Sequence, residues 1–181
     1  MPGRMIGALI SGIFGAVFVI VNSAALPAVA RIILSMAAVA VPTIVLIQLV
    51  RSRSQGEAVG MAPNHGRWLW PTTAVEVVAI VGGLVLLNRF TSIGWAGVAW
   101  VALVVGLHFI PFAVNLKMPT FWVLTVALSL LGVAGLILAI QGASPGLVGL
   151  VAGVLSGIAL LAAAIHSAFF AQDAYAVSPA T

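Results

Sequence analysis

Three ionisable side chains lie inside apolar stretches of this sequence, where an uncompensated charge is costly. Glu76 follows two threonines in a run of Val, Ala and Ile, His108 lies within VVGLHFIP, and His166 ends a run of Ala and Leu. A carboxyl group and an imidazole that meet in such surroundings can exchange a proton near neutral pH. Two histidines and one glutamate can also ligate zinc, but no two of these residues have the short spacing of a zinc site, so no metal is expected.

Polar residues accompany these three at helical spacing. Thr72 and Thr73 precede Glu76 by four and three positions, which predicts that they share one face of a helix. Asn115 follows His108 by seven positions and shares its face only if the helix continues past Pro111. Because proline has no N–H, we predict a hinge at Pro111. The candidate ligand- or proton-binding residues are therefore Glu76, His108, His166, Thr72, Thr73 and Asn115.

The sequence contains no catalytic signature that would identify an enzyme. His-Glu-x-x-His and a phosphate-binding glycine loop are both missing. With no cysteine, the chain has no disulfide or thiol chemistry. The seven Lys and Arg residues are scattered and form no basic stripe, which argues against nucleic-acid binding. We therefore expect no enzymatic activity and no cofactor, and a membrane enzyme that uses His108 or His166 as a base is the least favoured alternative.

The composition is that of an integral membrane protein. Of the 181 residues, 63% are hydrophobic and 6% are charged, against about 45–50% and about 25% in a typical soluble domain. Charges and turn residues separate six apolar stretches, each near the ~20 residues that span a bilayer as a helix. The predicted fold is all-α, with six transmembrane helices in one compact bundle and a single membrane domain over residues 1–181. The predicted spans are 6–26, 31–50, 70–87, 95–112, 120–140 and 147–170.

The first stretch has two interpretations. Arg4 precedes an apolar run, and Ala28-Val29-Ala30 has the form of a signal-peptide cleavage site. Against this, Gly7, Ser11 and Gly15 recur every four residues, a pattern that lets a second helix approach closely. We favour a helix that is retained and packed within the bundle.

The positions of the cations predict how the chain is threaded. If the N-terminus is cytoplasmic, five cations lie inside and two, Arg31 and Arg89, lie outside, which fits the excess of positive charge expected in cytoplasmic loops. Residues 51–67 then form a cytoplasmic loop, and both termini are cytoplasmic. The excess of Arg over Lys and the abundance of Ala, Val and Gly suggest a GC-rich bacterial genome, and hence a multi-pass protein of the bacterial inner membrane.

This threading brings Glu76, His108 and His166 to a comparable depth in the cytoplasmic half of the membrane. One interpretation is a polar cluster that handles a solute or protons, which we favour. The other is a structural clasp that fixes the order of the helices. An accessory or assembly subunit is the alternative function. In that case, the stripes of Gly, Ala and Ser in the first, fifth and sixth spans would bind another membrane protein or a second copy of this chain. The lipid bilayer is the other expected partner.

Overall fold

The structure, a computed structural model, describes residues 2–54, 66–116 and 119–169. Within these ranges there are six long helices and no strand, and all six are long and apolar enough to cross a membrane. The predicted all-α fold with six helices packed together is therefore confirmed. The helices are α1 (Pro2–Asn22), α2 (Ala28–Ser54), α3 (Gly66–Phe90), α4 (Gly97–Leu116), α5 (Pro119–Ile140) and α6 (Pro145–Phe169).

Several helices extend further than the apolar pattern predicts, among them α3, which covers Gly66–Phe90 where the predicted span is 70–87. α2 continues past Val50 through Ser54, and α4 continues past Phe112 through Leu116. Once a helix is nucleated, each added residue gains a backbone hydrogen bond, so polar residues beyond an apolar stretch can remain helical. The predicted loop 51–67 is correspondingly shorter. Its first four residues belong to α2, its last two belong to α3, and residues 55–65 lie outside the described residues.

The connection between α5 and α6 is a tight turn that depends on one glycine. Gly142 has a φ of 80°, in the left-handed region that favours glycine. The Ala143 amide donates to the Leu138 carbonyl at 2.9 Å, which closes the end of α5. The hydroxyl of Ser144 then accepts from the Leu147 amide at 3.3 Å and caps α6, with Pro145 in the first turn. These local interactions fix where α5 ends and α6 begins.

The helices are not equally embedded in the bundle. α1 packs against both α2 and α6, α4 packs against α5, and α6 joins the two groups. α3 has extensive contacts only with α4 and with the short 3-10 turn Gly94–Ala96 that precedes it. α3 is therefore the peripheral helix, and the apolar side chains on the rest of its circumference are exposed. In a bilayer, such a surface contacts lipid.

Glycines allow α1 and α6 to cross closely. A Cβ atom at Gly15 would lie 2.8 Å from the carbonyl oxygen of Gly157, and a Cβ at Gly157 would lie 2.7 Å from the carbonyl oxygen of Gly15. The Ser11 hydroxyl donates to the Leu160 carbonyl at 3.0 Å across the same contact. Close packing of small residues of this kind drives helix association where lipid removes the hydrophobic driving force. α1 is thus packed within the bundle, while Gly7 faces open space.

Small residues serve the same purpose between α4, α5 and α6. Gly106 lies against Ser129, Gly132 lies against the backbone of Leu103, and Gly135 lies between Ala99 and Ala152. The small-residue faces that were predicted to bind a partner are thus occupied by internal contacts. Any protein partner would have to use another surface.

We predict that Gly15→Val destabilises the bundle by about 1–3 kcal/mol, the usual cost of overpacking a close contact. The added atoms would meet backbone atoms of Gly157 and Leu161, which cannot move aside. Gly7→Val is the matched control in the same helix and should change stability by less than about 0.5 kcal/mol, since nothing lies within 4 Å of its Cβ position. Unfolding of the detergent-solubilised protein, followed by circular dichroism, measures both. Equal losses in the two variants would contradict the packing described.

Candidate functional site

One face of α3 carries the polar residues that meet α4. Thr72, Glu76, Ala79 and Gly83 follow each other at spacings of four, three and four residues, and all are half-buried or buried. The flanking Val75 and Val78 are 69% and 71% exposed. Thr73 is also exposed, so the prediction that it shares this face is wrong. Thr73 lies three residues before Glu76, which corresponds to a rotation of about 60° around the helix. This rotation places Thr73 outside the narrow contact between α3 and α4.

Glu76 and His108 meet across the α3–α4 contact. Oε2 of Glu76 lies 3.3 Å from Nδ1 of His108, and the two side chains are 16% and 13% exposed. This is an ion-pair distance when the imidazole is protonated, although no acceptor is aligned for a hydrogen bond to Nδ1. The His108 ring also has a polar contact with the backbone of Thr72. The structure therefore brings Glu76, His108 and Thr72 together.

Aromatic rings line one side of the imidazole. The Phe112 ring lies 5.0 Å from the His108 ring, and the Phe109 ring lies 6.0 Å away in an edge arrangement. Phe121 of α5 stacks on Phe109 at 5.9 Å and lies at the same distance from Phe112. These rings give the imidazole an apolar surrounding on this side, so among them Glu76 is its charged neighbour. These rings were not among the predicted site residues, although the four-residue spacing of His108 and Phe112 indicates that the two share a helix face.

A second polar contact holds the middle of α3 to α4. Nε1 of Trp100 donates to the carbonyl oxygen of Ala79 at 3.0 Å. A Cβ atom at Gly83 would overlap the indole, so the glycine creates the space that Trp100 occupies. Trp100 was not among the predicted residues. The glycine on the Glu76 face, opposite a tryptophan in the next span, is the feature that indicates this contact.

Asn115 and Pro111 lie further along α4, which continues through the proline. Asn115 therefore has the helical register that the prediction required. Its side chain is exposed, however, and Nδ2 donates to the Pro111 carbonyl at 2.7 Å. The Asn115 amide is therefore used within α4, and Asn115 does not contact His108 or Glu76. The role of Pro111 as a hinge remains a prediction.

His166 is exposed on α6. The buried residues Ala164 and Ala168 lie two positions before and after it, and two positions are about 200° around a helix. The imidazole therefore projects from the side opposite to the packed face. In the part of the chain that the structure describes, no three His, Cys, Asp or Glu residues are placed to hold a metal ion. Of the three ionisable residues, the structure joins only Glu76 and His108.

His108 lies deeper than the predicted span 95–112 implies, whereas the start of the span that contains Glu76 agrees with the predicted start at residue 70. The spans run over Trp70–Phe90 and Gly94–Asn115. Glu76 is six residues from the first of these ends and His108 is seven from the second, about 9 and 10 Å at 1.5 Å per residue. The extension of α4 past Phe112 accounts for the difference at His108. Both residues lie at the end of the bundle where α3 begins and α4 ends.

Comparisons with protein-family models, with curated proteins and with solved structures give no match for this chain.

We predict that Gly83→Ala loosens α3, because the new methyl group must displace Trp100 from its hydrogen bond to Ala79. A cost of about 1.4 kcal/mol or more corresponds to at least a tenfold faster hydrogen–deuterium exchange of the α3 amides. Gly82→Ala adds the same group where nothing lies within 4 Å. Mass spectrometry of peptides from α3 and α5 measures the effect. Unchanged α3 exchange in Gly83→Ala would refute this role of the glycine.

We also predict that Glu76→Gln and His108→Gln are energetically coupled. Polar contacts inside membranes average about 0.6 kcal/mol, so the double variant should lose at least that much less stability than the sum of the single variants. Glu76→Gln combined with Asn115→Ala is the control pair and should be additive, because Asn115 bonds within its own helix. Unfolding free energies of the variants give the coupling. Additivity at Glu76 and His108 would show that the contact contributes nothing.

Proposed function

We propose that this multi-pass membrane protein handles protons, or a solute that exchanges one, at the pair Glu76 and His108. The observation that carries the proposal is the 3.3 Å contact between a carboxyl oxygen and an imidazole nitrogen, mostly buried between two apolar spans. Ionisable residues inside membrane spans are rare and mark proton or substrate pathways more often than not. A histidine is also the side chain that ordinarily titrates in the physiological range.

The pair can redistribute one proton without changing its net charge. In one form, Nδ1 of His108 carries the proton, and an imidazolium faces a carboxylate. Transfer of that proton to Oε2 of Glu76 gives a neutral imidazole and a carboxylic acid. Both forms are neutral overall, which avoids an unpaired charge at this depth. Uptake of a further proton from water, or loss of the shared one, leaves a net charge of one unit, so occupancy controls the electrostatics of the α3–α4 contact.

The weak attachment of α3 supports a link between proton occupancy and movement. α3 is peripheral and contacts mainly α4, where the Glu76–His108 contact lies toward one end and the Trp100–Ala79 hydrogen bond lies in the middle. A change in the charge of the pair therefore alters one of the few polar contacts that hold the helix. Rigid-body displacement of one element about a fixed contact is a common switching motion.

Both side chains keep partial exposure, and the proposal requires that this exposed part meets water entering from the nearer end of the bundle. The same end receives the C-terminal end of α2 and the N-terminal end of α5. The distribution of cations favours the cytoplasm for this side. We propose that the pair opens to the cytoplasm and that the protein belongs to the bacterial inner membrane with both termini inside.

The alternative function is that of an accessory or assembly subunit, and the position of α3 favours it. A helix that packs by one narrow face leaves most of its surface for contact with another membrane protein. In that case Glu76 and His108 act as a clasp that fixes α3 on α4. The small-residue faces of α1, α5 and α6 are occupied internally, so the contact surface would be the exposed valine-rich side of α3.

Proton flux in reconstituted vesicles tests the proposal. Vesicles that contain the protein and an entrapped pH-sensitive dye receive a potassium diffusion potential, and the rate of internal pH change is measured between pH 5 and 8. We expect flux above that of protein-free vesicles, reduced at least tenfold in Glu76→Gln and in His108→Gln. Arg89→Gln is the control, because Arg89 lies in the last turn of α3, at the far end from the pair.

Wild-type flux no greater than that of empty vesicles, or equal flux in Glu76→Gln, would contradict proton conduction by this pair. A solute that exchanges a proton is tested by adding candidate small molecules to the same vesicles. If Glu76→Gln leaves every flux unchanged but alters recovery of a membrane complex, the accessory function is supported instead.

A further inference from the structure

A second feature lies at the opposite end of the bundle, where α1 turns into α2. An open groove of about 410 Å³ runs between the end of α1 and the first turns of α2. It is separate from Glu76 and His108, and no part of the proposed function uses it. The groove is lined by Ile20, Ala24, Arg31, Ile32, Ser35 and Met36.

Arg31 supplies a positive charge at this groove that nothing else in the described part of the chain neutralises. Its side chain is exposed, and it takes part in no ion pair or side-chain hydrogen bond among the described residues. Its own helix does not favour it either, because Arg31 is in the first turn of α2, where the helix dipole repels a cation. Threading with cytoplasmic termini also places Arg31 on the side where cations are disfavoured. A partner from outside the chain would account for the charge.

The charged residue of the groove, Arg31, lies near the membrane interface, and the part of the lining that lies deeper along α2 is mainly apolar. The apolar span begins at Ala28, so Arg31 is about 4.5 Å along α2 and Met36 is about 12 Å along it. This places the guanidinium near the membrane interface and Met36 within the hydrocarbon. Ser35 follows Arg31 by one turn and lies on the same face. Ile32 and Met36 are both exposed along the groove.

We propose that this groove binds one anionic phospholipid, with the phosphate on Arg31 and an acyl chain running past Ser35 along Ile20, Ile32 and Met36. An arginine fork matches a phosphate group with two parallel charge-assisted hydrogen bonds. The apolar lining below the charge complements an acyl chain, and a free phosphate ion would leave that lining unused. The order of the groups along the groove, cation first and apolar side chains deeper, is the order of a phospholipid in the bilayer.

Lipid titrations of the purified protein, followed by native mass spectrometry, test the assignment. Phosphatidylglycerol, whose headgroup is anionic, is compared with phosphatidylcholine, whose headgroup is zwitterionic, at the same acyl-chain length. We expect wild type to prefer the anionic lipid and Arg31→Gln to weaken its binding at least tenfold. Arg89→Gln is the matched control, because Arg89 is also exposed at this end of the bundle but lies outside the groove. It should change the affinity by less than twofold.

Two further experiments test which molecule occupies the groove. Ser35→Phe fills the groove without removing charge and should also weaken binding. An equal loss for both lipids in Arg31→Gln would show that Arg31 does not select the anionic headgroup, and would refute an anionic-lipid site. Inorganic phosphate, added in tenfold molar excess over lipid, should not displace phosphatidylglycerol. If phosphate does displace it, the groove holds a free anion and the lipid assignment is wrong. Equal effects of Arg31→Gln and Arg89→Gln would show only general attraction of surface arginines to anionic lipid and would likewise overturn the proposal.

Discussion

Hydrocarbon offers no hydrogen-bond partner, so polar groups within these spans must find partners in the protein itself. Most of the polar contacts in the structure follow from this constraint. Trp100 donates to the carbonyl of Ala79, Ser11 donates to the carbonyl of Leu160, and Glu76 faces His108. The buried hydroxyls of Thr125, Ser129 and Ser156 are exceptions, since they have no hydrogen-bond partner among the residues that the structure describes. At Ser129, which lies against Gly106, small size serves close helix packing.

Two kinds of contact hold the bundle, and they differ in how they respond to conditions. α1, α4, α5 and α6 cross at glycines, where neighbouring backbones approach so closely that even a Cβ atom would clash. Such contacts do not depend on pH. α3 depends on polar contacts with α4, of which one is an ionisable pair. α3 also packs against α4 at Gly83 and Trp100, but in the described part of the chain the Glu76–His108 contact is the one attachment of this helix whose charge changes with pH. Under the proposed function, α3 at the periphery of the bundle is the element that a change of protonation would move.

The fold could be predicted from the sequence because membrane spans have a strong length and composition signal, which six apolar stretches of about 20 residues satisfy. The site could be predicted only in part. Helical spacing placed Glu76 on the side of α3 that meets α4, but it could not show that Thr73 falls just outside that contact. The position of His166 along its helix predicted the same membrane depth as Glu76 and His108. Depth does not determine which side of the helix a residue occupies, however. Because Ala164 and Ala168 pack into the bundle, His166 lies on the outer side of α6. Trp100 and Phe121 required knowledge of which helices are neighbours, and no spacing within one helix contains that information.

The central claim is that Glu76 and His108 share a proton within the membrane. Solid-state ¹⁵N NMR of the His108 ring in lipid bilayers tests it most directly, in a chain carrying His65→Gln and His166→Gln so that His108 is the remaining histidine. The protonation of the ring is followed against pH with Glu76 present and with Glu76→Gln. We predict that the midpoint differs between the two by at least about one pH unit, equivalent to about 1.4 kcal/mol of interaction. Superimposable titration curves would show that the carboxyl and the imidazole do not share a proton, and would contradict the claim.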